Sequence, residues 1–321
     1  MNSNICFTLC SKNYIAQALT LQQSIQSVHP DIDFVVGLVD KLSEEEKSYV
    51  KDIHYLEMDN LALQVLEDMK LKYNIIELNT AVKPFYIDYF FKKGYQKVVY
   101  LDPDIYVYHH MQEIINQLDT YSFIITPHFT TPIYDTYLLT EQIVLGTGIF
   151  NLGFLAIKND LTGQALIQWW QKKLQNECIL DLSRGYFVDQ KWMNLSICHF
   201  DNYLINKNLG LNVAHWNLHE RYICYTNDRY WINQTEPLIF FHFSSYQPEQ
   251  PDKIANWQNR YSFNTRPDII PLFEQYRNRV LDNQYTFWRQ RMPVYGKPLM
   301  NKKMTLKQRI QNKIILLIQS I

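Results

Sequence analysis

No Gly-x-x-x-x-Gly-Lys-[Ser/Thr] stretch occurs anywhere in the sequence, which removes a P-loop cradle from consideration. Glycine itself is scarce, at nine residues, and Gly146-Thr147-Gly148 is followed next by Gly153. That spacing does not fit Gly-x-Gly-x-x-Gly, so a dinucleotide site of that type is not expected. There is no Cys-x-x-Cys pair. The five cysteines (Cys6, Cys10, Cys178, Cys198 and Cys224) are odd in number and read as reduced, buried thiols of a cytosolic protein. A run of about 18 apolar residues, the mark of a membrane span, is absent. Met1-Asn2-Ser3-Asn4 does not open a signal peptide. Charge of one sign is also lacking: 31 basic residues face 32 acidic ones, for a net −1, so no nucleic-acid partner is expected. These absences together lead to a cytoplasmic chain.

What remains is a globular composition. Hydrophobic residues make up 47% of 321, enough for a large core. Aromatics reach 15%, with 23 Tyr and 7 Trp, and serve both core packing and the stacking of sugars and bases. Apolar runs alternate with helical periodicity over the first hundred residues. Strands are predicted at 5–10, 34–39, 53–56 and 97–101. Helices are predicted at 14–28 with a cap from Ser11 to Asn13, from the capping box at Ser43 to 52, at 60–71, and at 78–93 carrying Lys83. This βαβα order predicts an α/β fold with a mainly parallel sheet, whose ligands gather at the carboxyl ends of strands. Beyond 108 the pattern predicts strands at 121–126 and 149–157, and a helix capped by Asp160 to 176. It then gives a helical stretch at 186–198, short strands near 203–206, 211–216, 222–232 and 238–243, and a helix over 268–291. Residues 302–321 place Leu306, Ile310, Ile314, Leu317, Ile318 and Ile321 on one helical face, with Lys303 and Lys307 near it. Such a basic amphipathic tail docks on the protein's own body, on a membrane surface as a peripheral contact, or on a partner helix.

The chain is organised around residues 97–108, Lys-Val-Val-Tyr-Leu-Asp-Pro-Asp-Ile-Tyr-Val-Tyr. Val98 to Leu101 reads as a strand buried on both faces. Pro103 has no N–H, so pairing should stop there. In extended chain Asp102 and Asp104 point the same way, and two anions facing one point repel unless a cation lies between them. Asp-Pro-Asp is also an ordinary turn signal. At the end of a buried strand it suggests a divalent metal that holds a diphosphate. Phosphatases of the haloacid dehalogenase type share a strand followed by Asp-x-Asp-x-[Thr/Val]. Here Tyr106 occupies the last position and no Gly-Asp dipeptide exists, which disfavours that alternative. His215 and His219 have the spacing of two zinc ligands on a helix, but Trp216-Asn217-Leu218 between them reads as strand into loop, so hydrogen-bonded loop histidines are expected.

Several short stretches in order resemble the GT-A-fold nucleotide-diphospho-sugar glycosyltransferases, specifically the retaining enzymes of family 8. They are Phe7-Thr8-Leu9 with Asn13-Tyr14, Ala81-Val82-Lys83-Pro84-Phe85, Lys97 to Asp104, Phe150-Asn151-Leu152-Gly153, Asp189-Gln190, His215-Trp216-Asn217, and Phe241-His242-Phe243-Ser244-Ser245-Tyr246. The resemblance implies a GT-A (Rossmann-like) catalytic domain over 1–265. Its nucleotide-binding half would be 1–108 and its donor-sugar and acceptor half 109–265, with a C-terminal helical extension over 266–321. Asp102 and Asp104, joined by His242, would bind Mn²⁺ or Mg²⁺. Thr8 and Tyr14 would contact the nucleoside, Lys83 a phosphate or ribose, and Asn151 and Gly153 the donor sugar. Asp189 and Gln190 would be catalytic, with Asp189 on the sugar hydroxyls and Gln190 at the anomeric centre. Many relatives carry a second Asp where this chain has Lys191. The implied reaction moves a hexose-type sugar, from a UDP-sugar in the first instance, to a hydroxyl on a glycan or lipid-linked acceptor, as in polysaccharide biosynthesis. A catalytically silent nucleotide-sugar-binding protein of the same fold is the alternative.

Overall fold

The computed structural model describes residues 3–51 and 53–298, so the expected tail at 302–321 lies outside the described residues. A seven-stranded sheet forms the centre. Its strands are β1 (Asn4–Cys10), β2 (Asp33–Leu38), β3 (Tyr55–Glu57), β4 (Lys97–Leu101), β6 (Phe123–Ile125), β7 (Phe154–Lys158) and the strand Tyr203–Ile205. β5 (Ile105–Val107) lies outside it and pairs with Phe240–His242. Across the sheet the order is Tyr203–Ile205, β6, β7, β4, β1, β2, β3. All neighbours are parallel except β7, which runs antiparallel to both β4 and β6. This is the mixed, mainly parallel sheet that the βαβα pattern predicts.

Alternation along β1 divides the core in two. Cys6 and Cys10 point to one face, and Ile5, Phe7 and Leu9 to the other. The first face is covered by the helix Ile15–Val28 and by the C-terminal helix Ile270–Asp282, through Leu272, Phe273 and Tyr276. The second is covered by Lys83–Lys92 and Leu161–Glu177, with Trp170 fully buried. Asn283 donates to Thr20 Oγ1 at 2.9 Å, which ties the C-terminal helices to Ile15–Val28.

Several expectations change in detail. The helix predicted at 78–93 is two helices, Ile75–Ala81 and Lys83–Lys92. Pro84 has no N–H to offer the Thr80 carbonyl, so a new helix starts around it. Asn74 and Glu77 form an earlier capping box that moves the first start back to Ile75. The Ser43–Glu46 capping box is present, but its helix ends at Ser48. Ser11 does not cap; its hydroxyl donates to Asn13 Oδ1 at 2.7 Å. The strand expected from 149 begins only at Phe154, and 186–198 is a short strand Tyr186–Phe187, a 3₁₀ turn Lys191–Leu195 and a single helical turn Ser196–His199. Residues 211–216 contribute one isolated bridge, Val213 to Phe241, instead of a strand. Not every cysteine is buried: Cys198 is exposed and Cys224 half-buried, and all five are free.

Candidate metal centre

β4 stops at Leu101 and the chain turns over Asp102-Pro103-Asp104. Asp102 N donates to Gly153 O at 2.8 Å, and Ile105 N closes the turn on Asp102 O at 3.2 Å. β5 then pairs with Phe240–His242 so that His242 faces Ile105, and Phe243 N donates to Asp104 O at 2.8 Å. The register therefore delivers an imidazole to the two carboxylates. His242 Nε2 lies 3.0 Å from Asp104 Oδ1 and 3.7 Å from Asp102 Oδ2. One ligand atom from each of the three lies within 4.8 Å of the others. Among the described residues no other cluster of three or more His, Cys, Asp or Glu side chains has this geometry, so His215 and His219 belong to none.

Surrounding groups fix the roles of these atoms. Asn212 Nδ2 donates to Thr126 Oγ1 and to Asn151 Oδ1, both at 3.0 Å. Its Oδ1 is thereby turned to His242 Nδ1, 3.2 Å away. The proton is held at Nδ1, and Nε2 faces the carboxylates, donating to Asp104 Oδ1 when protonated and free to offer its lone pair to a cation when not. Tyr100 OH donates to Asp102 Oδ1 at 2.5 Å, orienting that carboxylate. Two carboxylates and a neutral imidazole, with Asp102 and His242 each braced by an outer hydrogen bond, suit a divalent cation of the Mn²⁺ or Mg²⁺ kind. With no cation between them, burial raises the Asp102 pKa, Lys83 and His242 lower it, and Asp104 raises it further. Burial lowers the His242 pKa, but Asp104 and Asp102 outweigh it and the net direction is upward.

The turn Asn151-Leu152-Gly153 joins this corner to the other expected residues. Gly153 carries no side chain because a Cβ there would meet His242 Cε1 at 2.5 Å and Asn151 Oδ1 at 2.8 Å. Asn151 Oδ1 accepts from Gly153 N at 3.1 Å. Leu152 N donates to Gln190 Oε1 at 3.2 Å, and Gln190 Nε2 donates to Thr147 O at 3.2 Å. Leu152 O accepts from Lys83 Nζ at 2.9 Å. Lys83 is no surface lysine: it is buried, pairs with Asp189 Oδ2 at 2.6 Å and lies 4.2 Å above the Tyr100 ring. Asp102, Asp104, His242, Asn151, Gly153, Lys83, Asp189 and Gln190 thus form one connected set at the carboxyl end of β4.

Thr8 and Tyr14 are placed differently. Thr8 is fully buried in β1, and its hydroxyl has no hydrogen-bond partner. Tyr14 ends the 3₁₀ turn Lys12–Tyr14 and is 38% exposed. Burial raises the pKa of its phenol, Asp104, Glu249 and Asp102 raise it further, and Arg289 acts the other way. The sequence reading passed over Asn212, His128 and the hydroxyl of Tyr100. His128 Nε2 accepts from Asn151 Nδ2 at 3.3 Å, and burial pushes its pKa down to about 4. Asn212 carried a usable signal, a lone amide within the apolar stretch 211–214. Of the two spaced histidines, His219 contacts Thr131 O at 3.3 Å while His215 is buried with Nδ1 unpartnered.

No family model matches the chain. It is 25% identical over 285 residues to the uncharacterised protein YfnF of Bacillus subtilis (strain 168), covering 87% of this chain and 92% of that one. The uncharacterised YfnD of the same organism is 24% identical over 245 residues, covering 74% and 76%. Among solved structures, the galactosyltransferase LgtC in complex with donor and acceptor sugar analogues superposes with a TM-score of 0.52 at 14% identity, covering 87% of this chain and 95% of LgtC. The fold is GT-A. The bifunctional glycosyltransferase WbbM superposes with a TM-score of 0.51 at 14% identity, over 90% of this chain and 52% of WbbM. In this GT-A sheet the carboxylate pair lies where the parallel strands end, the edge at which such sheets collect ligands. Among the described residues no helix is long and apolar enough to cross a membrane.

Proposed function

We propose that this protein is a metal-dependent glycosyltransferase. It moves a hexose-type sugar from a nucleotide-diphosphate donor, a UDP-sugar in the first instance, to a hydroxyl of a glycan or lipid-linked acceptor, with retention of configuration. The observation that carries the reading is the connected set from Asp104 to Gln190 at the ligand-collecting edge of a GT-A sheet. Asp102, Asp104 and His242 hold Mn²⁺ or Mg²⁺, and when bound the ion neutralises charge on the leaving diphosphate. On this reading residues 1–108 hold the nucleotide and 109–265 the donor sugar and the acceptor.

The protein's own groups do the rest. Tyr14 offers a half-exposed aromatic face to the nucleoside. Thr8 lies two residues before the same end of β1, buried, with its hydroxyl unpartnered. Gly153 and Asn151 border the donor sugar, and the missing Cβ leaves room for the His242 ring and the Asn151 amide. Asp189 is held by Lys83 through one oxygen and keeps the other for a sugar hydroxyl. Gln190 Oε1 keeps a lone pair beyond its bond from Leu152 N, available to positive charge developing at the anomeric carbon. In the transfer the bond from the anomeric carbon to the β-phosphate oxygen breaks, and the bond to the acceptor oxygen forms on the same face. The acceptor's proton passes to the leaving phosphate oxygen.

A panel of nucleotide-sugars tests this. Wild type should show Mn²⁺-dependent thermal stabilisation by one of them and release its free sugar or a glycosylated acceptor. Asp102→Asn should lose the Mn²⁺-dependent shift, and a shift equal to wild type refutes the metal assignment. Donor binding with no sugar release under any condition would favour the catalytically silent binding protein.

A further inference from the structure

On the donor reading above, the site is short of positive charge. A divalent ion is offset by Asp102 and Asp104 when His242 ligates as a neutral ring. Lys83 is spent on Asp189 at 2.6 Å, and Lys12 on Glu46 at 3.0 Å, with both pairs buried. A diphosphate entering this corner brings about two further negative charges and meets no free cation from these elements. The C-terminal helices supply one.

Helix Ile270–Asp282 reaches the metal corner through Tyr276, whose ring stacks on Phe243 at 3.9 Å and 1°. Phe243 is the residue whose N–H holds Asp104 O. Helix Tyr285–Arg289 packs against Lys12–Tyr14. Its last residue, Arg289, ends the helix that packs on the turn carrying Tyr14, and its charge and those of Asp104 and Asp102 all reach the Tyr14 phenol. Arg289 is loosely held. Its Nε is 3.7 Å from Glu249 Oε1, beyond hydrogen-bond distance, and both side chains are substantially exposed. Glu249 does not depend on it, because Tyr285 OH donates to Glu249 Oε2 at 2.8 Å.

We propose that Arg289 is a ligand of the donor diphosphate: on binding, its guanidinium exchanges Glu249 for a phosphate oxygen, and the C-terminal helices form one wall of the nucleotide site. The exchange leaves no group unpaired, since Glu249 retains Tyr285 and solvent. Arginine suits it because its planar fork matches a phosphate edge and stays charged at all working pH.

The test rests on the donor reading and separates its own failure from that of the reading. UDP and GDP are titrated calorimetrically into the full chain with excess Mn²⁺, and the tighter of the two is followed. Arg289→Ala should weaken it about tenfold or more and flatten the dependence of affinity on salt. Arg289→Lys should recover part of the loss, and Glu249→Gln should tighten binding. Arg184→Ala, which removes an exposed arginine paired with Asp181, should leave affinity unchanged. Uridine or guanosine, lacking phosphates, should bind Arg289→Ala and wild type alike. If wild type binds the nucleotide and Arg289→Ala binds it equally well, the inference is overturned while the donor reading stands. If wild type binds neither nucleotide, both are overturned.

Discussion

The two ends of the connected set are built on opposite terms. At the Lys83 end everything is dry and matched: a buried ammonium, a buried carboxylate, a backbone carbonyl and an aromatic face, each in contact. At the Asp102 end two carboxylates keep 31% and 21% of their side chains in contact with solvent, and one imidazole and the Tyr100 hydroxyl face them. The first end is balanced in charge without a ligand. The second carries like charges brought together by a turn and a strand register, and it relaxes when a cation arrives. The difference teaches that the fold supports one end and the site's ligands the other. Mutations should therefore separate into those that cost stability and those that cost binding.

The largest stability effect is expected at the matched end. Asp189→Ala strands a buried Lys83 charge and should cost about 3–5 kcal/mol in urea unfolding. Lys83→Met with Asp189→Leu should recover most of it. A loss below about 1 kcal/mol would break the comparison, because the pair would then be no more structural than a surface one.

Next in size is the response to acid. Burial lowers the pKa of His128 to about 4 and of His215 to about 3. The unfolded chain takes up those protons first, near the ordinary histidine value, so the folded state is fully favoured above about pH 6.5 and loses ground as pH falls toward 4. The drop should be of the order of 3 kcal/mol per histidine, followed by urea midpoints across that window. His128→Asn should flatten part of the slope, and an unchanged slope would remove His128 from the account.

Gly153→Ala comes third. A Cβ must displace the His242 ring or the Asn151 amide, at about 1–3 kcal/mol in stability. Mn²⁺ affinity should fall with it, because the moved ring is a ligand. The smallest stability change belongs to Asp104→Asn, which relieves repulsion with Asp102 but weakens the pairing with His242, so the two offset and stability should stay within about 0.5 kcal/mol of wild type. Its Mn²⁺-induced rise in melting temperature should vanish. A variant that unfolds readily and still responds to Mn²⁺ would reverse the assignment of this end.

Much of the fold was legible because its signals are local. The apolar runs of β1, β2 and β4, the capping box at Ser43 and the Asp160 cap all act within a few residues. Asp102 and Asp104 were legible for the same reason, as two anions across one proline. The pairing of Lys83 with Asp189 was not. Both residues were singled out, yet nothing local says that a helix-start lysine meets a carboxylate 106 positions later. Asn151 and Gly153 were read as part of one long strand, since Ile149 to Ile157 is continuously strand-like in composition. The turn there is imposed by tertiary bonds: Asn151 N to Thr126 O, Asp102 N to Gly153 O and Leu152 N to Gln190. The 186–198 stretch lost its helix to similar demands, with Val188 held at a positive φ of 38°.

The pairing of β5 with Phe240–His242 also sets an order of events in time. During synthesis Asp102 and Asp104 emerge long before His242, and β5 waits for a strand that has not yet been made. The cation site therefore closes late, after a large loop has been ordered, and its closure reports that the chain between has found its place. Metal uptake by a refolding chain should then lag behind the burial of the sheet, so the same three side chains serve as a clock for folding as well as a grip on a ligand.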